Sequence, residues 1–202
     1  MTRSVLLRQC GSLLSVLGAV VGCAPAPAPP PEIRSYREVG DFTLTDQTGN
    51  PLSSKALQGK VWVANFVFTS CTAECLILSK RMANLQKQFS GNDRVAFVSF
   101  SVDPGTDNPA RLAKYADLFD AGTHWSFLTG DHAAVETLIK EKFLLPLAQS
   151  SEESDALQKA TLIHSDRFAI VDSKGVVRAY VNGMQPKAEQ EIAAIVEQLV
   201  AE

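Results

Sequence analysis

Cys71 and Cys75, in the run Phe66-Val67-Phe68-Thr69-Ser70-Cys71-Thr72-Ala73-Glu74-Cys75, are the residues of this 202-residue chain best suited to chemistry. A thiolate is a nucleophile, a soft metal ligand and half of a disulfide, so such a pair suits a soft metal ion or a dithiol/disulfide couple. At positions i and i+4 of a helix their Cβ atoms would lie about 5–6 Å apart, and both sulfurs can close on one ion. The same spacing overlaps the Cα separation of a disulfide, so metal binding and oxidation compete. Two thiolates with one imidazole select copper among first-row metals: three ligands suit Cu(I), Cu(II) adds water or a carboxylate, and zinc normally wants four. His124, His132 and His164 are equally eligible by residue type. Glu74, between the thiols, favours a bound cation.

Such a site needs a frame. Residues 60–68 (KVWVANFVF) and 94–102 are nearly continuous apolar runs, which suits central strands covered on both faces. The cysteines follow the first run, and Asp103-Pro104-Gly105 stops the second. Cys75, Leu78, Met82, Leu85 and Phe89 recur at spacings of three and four, which predicts a helix laying one face on the sheet, with Cys75 on the buried stripe. A strand at 42–45 is closed by the turn 48–51. Pro109 suits the first turn of a helix whose apolar face is Leu112, Tyr115, Ala116 and Phe119. A strand at 125–129, a helix capped by Asp131 and running to 143, a polar loop at 149–159 and a hairpin of 168–171 with 176–181 follow. A last helix buries Ile192, Ile195, Val196, Leu199 and Val200.

This alternation predicts an α/β domain with a mixed sheet. Loops at the carboxyl ends of parallel strands collect on one edge. Cys71 and Asp103 therefore share an edge, and His164 joins them if the hairpin strand after it runs antiparallel.

The other two of the 4 cysteines lie in a leader. Arg3 and Arg8, then Cys10, precede an apolar stretch from Gly11 to Gly22 that is too short to read as a membrane span and is followed by Cys23. Val20-Val21-Gly22-Cys23 resembles a bacterial lipobox, which predicts a lipoprotein signal peptide at 1–22 and a diacylglycerol thioether on Cys23. The following CAPAPAPPP has no core-forming residue and reads as a Pro/Ala-rich linker, 23–38, ahead of one folded domain, 39–202. The expected location is the bacterial cell envelope, on a membrane and facing the periplasm. The formal net charge is −3, and losing two arginines with the leader makes the chain more acidic, which argues against a nucleic-acid partner.

The chain resembles the SCO/SenC family of copper proteins. The resemblance runs from about residue 42 to the C-terminus. It rests on the paired cysteines after an apolar strand, on Ser101-Val102-Asp103-Pro104 followed by Asp107-Asn108-Pro109, on Trp125-Ser126-Phe127-Leu128-Thr129-Gly130, and on His164-Ser165 leading into Arg167-Phe168-Ala169-Ile170-Val171-Asp172. It implies a thioredoxin-like fold with an N-terminal hairpin extension. It implies copper, Cu(I) or Cu(II), held by Cys71, Cys75 and His164, with Asp103 as a nearby acidic group. One departure stands out: family members usually carry proline after each cysteine, whereas this chain has Thr72 and Leu76, which loosens the cysteine loop.

The function implied is a membrane-anchored, mainly non-enzymatic copper chaperone. It would deliver copper to subunit II of cytochrome c oxidase, maturing its CuA centre, or to another cuproprotein, with a copper donor or thiol reductant as further partner. Two alternatives share the residues: a thiol-disulfide reductase using the redox-active pair Cys71 and Cys75, and a copper sensor or scavenger.

Overall fold

The apolar runs take the middle of the sheet. In a computed structural model that describes residues 33–145 and 165–202, β3 (Val61–Val67) and β4 (Val95–Ser101) are buried at every position. They pair in parallel from Val61↔Val95 to Val67↔Ser101. The leader with Cys10 and Cys23, the stretch 149–159 and His164 lie outside the described residues.

The described strands form one seven-stranded sheet in the order β2-β1-β5-β4-β3-β6-β7. β5 (Trp125–Thr129) continues the parallel set beside β4. On the far side of β3, β6 (Arg167–Val171) is antiparallel and turns into β7 (Val177–Asn182). The hairpin β1 (Thr43–Asp46) and β2 (Pro51–Ser53) adds antiparallel strands beside β5. The sheet is mixed and flanked by helices, as the α/β reading expects.

Alternation along β3 divides the core. Val61, Val63 and Val67 meet Leu78, Met82 and Leu85 of α1 (Glu74–Gln88), Leu112 and Tyr115 of α2 (Pro109–Asp117), and Ile192 and Ile195 of α4 (Ala188–Ala201). Trp62, Ala64 and Phe66 face the other way, onto Val135, Leu138, Ile139 and Phe143. A fully buried side chain of this size contributes about 1.5–3 kcal/mol, so each face is held by many such terms.

Helix ends follow their caps. The Asn108 side chain accepts from the Arg111 N–H at 3.0 Å, with Pro109 in the first turn of α2. Asp131 accepts from the Ala134 N–H at 3.0 Å and starts α3 (His132–Thr137). The helix expected to reach 143 does not stay α-helical: it widens into a π-turn at Leu138–Lys142. The Phe143 N–H bonds the Leu138 carbonyl at 3.1 Å, and the wider turn brings Phe143 into the core, edge-on to Trp62 and Phe66.

Candidate metal centre

Three segments meet at one edge. The parallel pairing of β3 and β4 brings the loops after Val67 and Ser101 to the same side, and the Val102 N–H bonds the Val67 carbonyl at 2.9 Å. β6 runs antiparallel to β3, so the chain enters it at that edge too. This is the orientation on which the convergence of the three segments depends. Ser165, the first described residue of that entry, is buried. His164 precedes it, outside the described residues.

Cys71 and Cys75 are free, buried thiols packed with Phe68 and Val102. They do not share a helix. α1 begins at Glu74 because Ala73 occupies the N-cap position and has no side-chain acceptor to offer, so Cys71 sits in the loop before it. The Cys75 N–H, one of the orphan donors of a first helical turn, finds the Cys71 sulfur at 3.5 Å instead. The Cys71 N–H is itself held by the Phe68 carbonyl at 3.1 Å. The two side chains also pack in one cluster and the Cys71 thiol interacts with that of Cys75, so the pair is brought together by loop closure rather than helical periodicity.

Burial pushes the Cys75 thiol up to about 12; a backbone hydrogen bond from Phe68 opposes this, while the Cys71 sulfur and the Glu74 charge add to it. Metal-free Cys75 is therefore a neutral thiol at neutral pH, and an incoming ion must displace its proton. Below it, the Tyr115 hydroxyl donates to the Cys75 carbonyl at 3.4 Å and pairs with the Ser79 hydroxyl at 3.0 Å. Burial raises the Tyr115 phenol above its ordinary value, which keeps it a donor. Helical spacing marks Tyr115 only as part of an apolar face, so its polar tip is not legible from the sequence.

Asp103 stands one residue beyond Val102. Its N–H bonds Ser101 Oγ at 3.1 Å, and its carbonyl accepts from the N–H groups of Thr106 and Asp107 at 3.0 and 2.9 Å. Its backbone makes the turn, whatever its carboxylate does. His124 lies 3.5 Å from Asp93, before β5 and so toward the opposite edge. His132 opens α3. Among the described residues no group of three His, Cys, Asp or Glu side chains could hold a metal ion, so the described share of the centre is the sulfur pair. Two adjacent soft donors fit a soft ion. Asp107, which the sequence marks only as one residue of an Asp-Asn-Pro run, is fully buried and hydrogen-bonded to Thr69 of the cysteine loop.

Comparison with known proteins follows the same lines. The SCO1/SenC family model matches residues 31–201. A SCO1/SenC family lipoprotein from Bacillus anthracis superposes with a TM-score of 0.73 and 31% identity, over 82% of this chain and 96% of that one. BsSco, described as a member of the Sco family of cytochrome c oxidase assembly proteins with a disulfide switch, gives 0.70 and 31%, over 84% and 98%. ScoI from Bradyrhizobium japonicum, with copper bound, gives 0.65 and 26%, over 79% and 98%.

Proposed function

The chain belongs to the SCO1/SenC family, and from that membership we propose that it is a copper-binding metallochaperone. Cys71, Cys75 and His164 take up one copper ion and pass it by ligand exchange to a respiratory oxidase subunit, maturing its CuA centre. The observation that carries this reading is the pair of free thiols held side by side at the sheet edge. It is supported by a relative known with copper bound and another described as an oxidase assembly protein. Two thiolates and an imidazole give Cu(I) a complete trigonal shell, and loading releases the thiol protons. A Cys71–Cys75 disulfide has no thiolate to offer, so the pair loads only when reduced.

The test is titration of the reduced protein with Cu(I) against a chromophoric competitor, in the wild type and in Cys71→Ser, Cys75→Ser and His164→Ala. Each variant should lose tight binding. Binding unchanged in His164→Ala would remove the histidine from the site, and a reduced wild type that binds no copper overturns the reading.

The sulfur contact favours one second reading, a reductase for a partner's cysteines. One thiolate of the pair attacks the partner disulfide, the other resolves the mixed disulfide, and two electrons leave the pair for the partner, whose sulfurs take up the two thiol protons as the internal disulfide closes. A protein that binds copper but stays inert toward oxidised partner peptides excludes it.

A further inference from the structure

The cysteine loop is hung from a buried carboxylate. Cys71 precedes α1, Ala73 gives the helix no side-chain cap, and the positions after both cysteines are Thr72 and Leu76 rather than proline, so within the loop its shape is held by the Cys71 N–H bond to Phe68 and the Cys75 N–H contact with the Cys71 sulfur. A further hold comes from another element. Asp107 is 0% exposed, and its Oδ1 accepts the Thr69 hydroxyl at 2.6 Å while its Oδ2 accepts the Thr69 N–H at 3.1 Å and the Ser101 hydroxyl at 2.7 Å. On the outer side, Arg111 Nε donates to Thr69 Oγ1 at 2.6 Å, a second guanidinium nitrogen donates to Ser70 Oγ at 3.0 Å, and Arg111 Nε lies 3.9 Å from Asp107 Oδ1.

A buried carboxylate is costly unless its oxygens are satisfied, and the donors here come from the cysteine loop, the adjoining strand end and Arg111. Asp107 itself is immobilised: its N–H bonds the Asp103 carbonyl at 2.9 Å, and the next two residues are the Asn108 cap and Pro109 of α2. The rigid partner is therefore the β4–α2 connection, and the dependent one is the segment two residues before Cys71.

We propose that Asp107 is the positioning residue of the cysteine loop, acting through Thr69 with Arg111 as an outer brace, so that Cys71 is held against Cys75 before any ion arrives. This rests on reading Cys71 and Cys75 as the working pair, but its test needs no copper. Cys71 is buried, so a reagent reaches it only when the loop opens, and its alkylation rate reports that opening.

The experiment measures iodoacetamide alkylation of Cys71 by peptide mass spectrometry in the reduced, metal-free protein, well below its melting temperature. Thr69→Val, which keeps the shape and N–H but removes the hydroxyl, should raise the rate about tenfold, the scale set by losing hydrogen bonds to charged groups. Thr69→Ser should restore it, and Arg111→Leu should raise it less. Ser99→Ala is the control: Ser99 bonds Asn65 and Trp125 inside the core, so this change should lower the melting temperature and leave the Cys71 rate alone.

A wild-type rate in Thr69→Val overturns the proposal, as does an equal rise in Ser99→Ala, which would mean that the network only supports global stability. The outcome does not depend on Asp107→Asn, a change that breaks a buried network and could unfold the chain. A wild type that fails to bind copper removes the chaperone reading and leaves this ratio of rates standing.

Discussion

Cys75 does its work as a suppressed acid. Burial holds its thiol up to about 12 against an ordinary value of 9.0, so the folded metal-free protein keeps the proton over a range where the unfolded chain has released it. For a group raised on folding, the stabilisation is complete below the ordinary value and is lost as pH climbs from there through the folded value. The reduced apo protein should therefore lose about 1 kcal/mol of stability per pH unit above about pH 9, read from denaturant midpoints. Cys75→Ala should flatten that slope up to the point where Tyr115, also raised by burial, begins to contribute. An unchanged slope in Cys75→Ala would assign the loss to another group. The proton also sets a condition on loading, because copper must displace it, and binding should tighten as pH rises toward the thiol's own range.

At the scale of elements, the turn after β7 presses its backbone against α1 and the entry to β6. A Cβ placed on Gly183 would lie 2.3 Å from Leu78 Cδ2, 2.5 Å from Phe168 Cε2 and 3.0 Å from the Asp166 carbonyl oxygen. Leu78 and Phe168 are both fully buried, so neither side chain has free space to move into. Gly183→Ala should cost about 1–3 kcal/mol by overpacking, measured as a lower thermal midpoint, and should disturb the first turns of α1. A midpoint equal to the wild type would mean that the core there relaxes without cost. The same elements show what a sequence does and does not disclose. β3 and β4 are legible because strands covered on both faces must be apolar throughout, and α2 because Pro109 is a chemical marker of a helix start, although its cap at Asn108 emerges only in the structure. The start of α1 is not legible: periodicity carries Cys71 onto the helix, and only the poor cap at Ala73 argues otherwise. The π-turn leaves no compositional trace, and the clamp from Asp107 to Thr69 joins residues 38 positions apart, beyond the reach of any local pattern. The cysteines could therefore be picked out from their spacing, while the groups that hold them could not.

For the whole molecule the question is how the domain is carried. The described chain begins alongside β7: the N–H groups of Arg34 and Tyr36 bond the carbonyls of Arg178 and Val177 at 3.0 and 2.9 Å, and the Val177 N–H bonds the Arg37 carbonyl at 2.8 Å. This segment pairs with the start of the edge strand, where donors and acceptors would otherwise be unpaired. The described chain therefore starts beside the edge strand β7, two strands away from β3, which leads into the cysteine loop. No helix among the described residues is long and apolar enough to cross a membrane. We propose that the anchor is a lipid on Cys23, following the lipobox-like Val20-Val21-Gly22-Cys23, a reading supported by the B. anthracis relative's description as a lipoprotein. An acyl chain contributes about 0.8 kcal/mol per buried methylene, so two or more chains hold a domain stably where one does not. The full chain expressed in a bacterium should sediment with membranes and partition into detergent, and Cys23→Ser should move it to the soluble fraction. Because the contacts that pin the domain's first residues begin at Arg34, the released protein should melt at the same temperature and bind copper as tightly as the anchored one. Retention of Cys23→Ser on membranes after a high-salt wash would overturn the lipid anchor and point to an uncleaved leader.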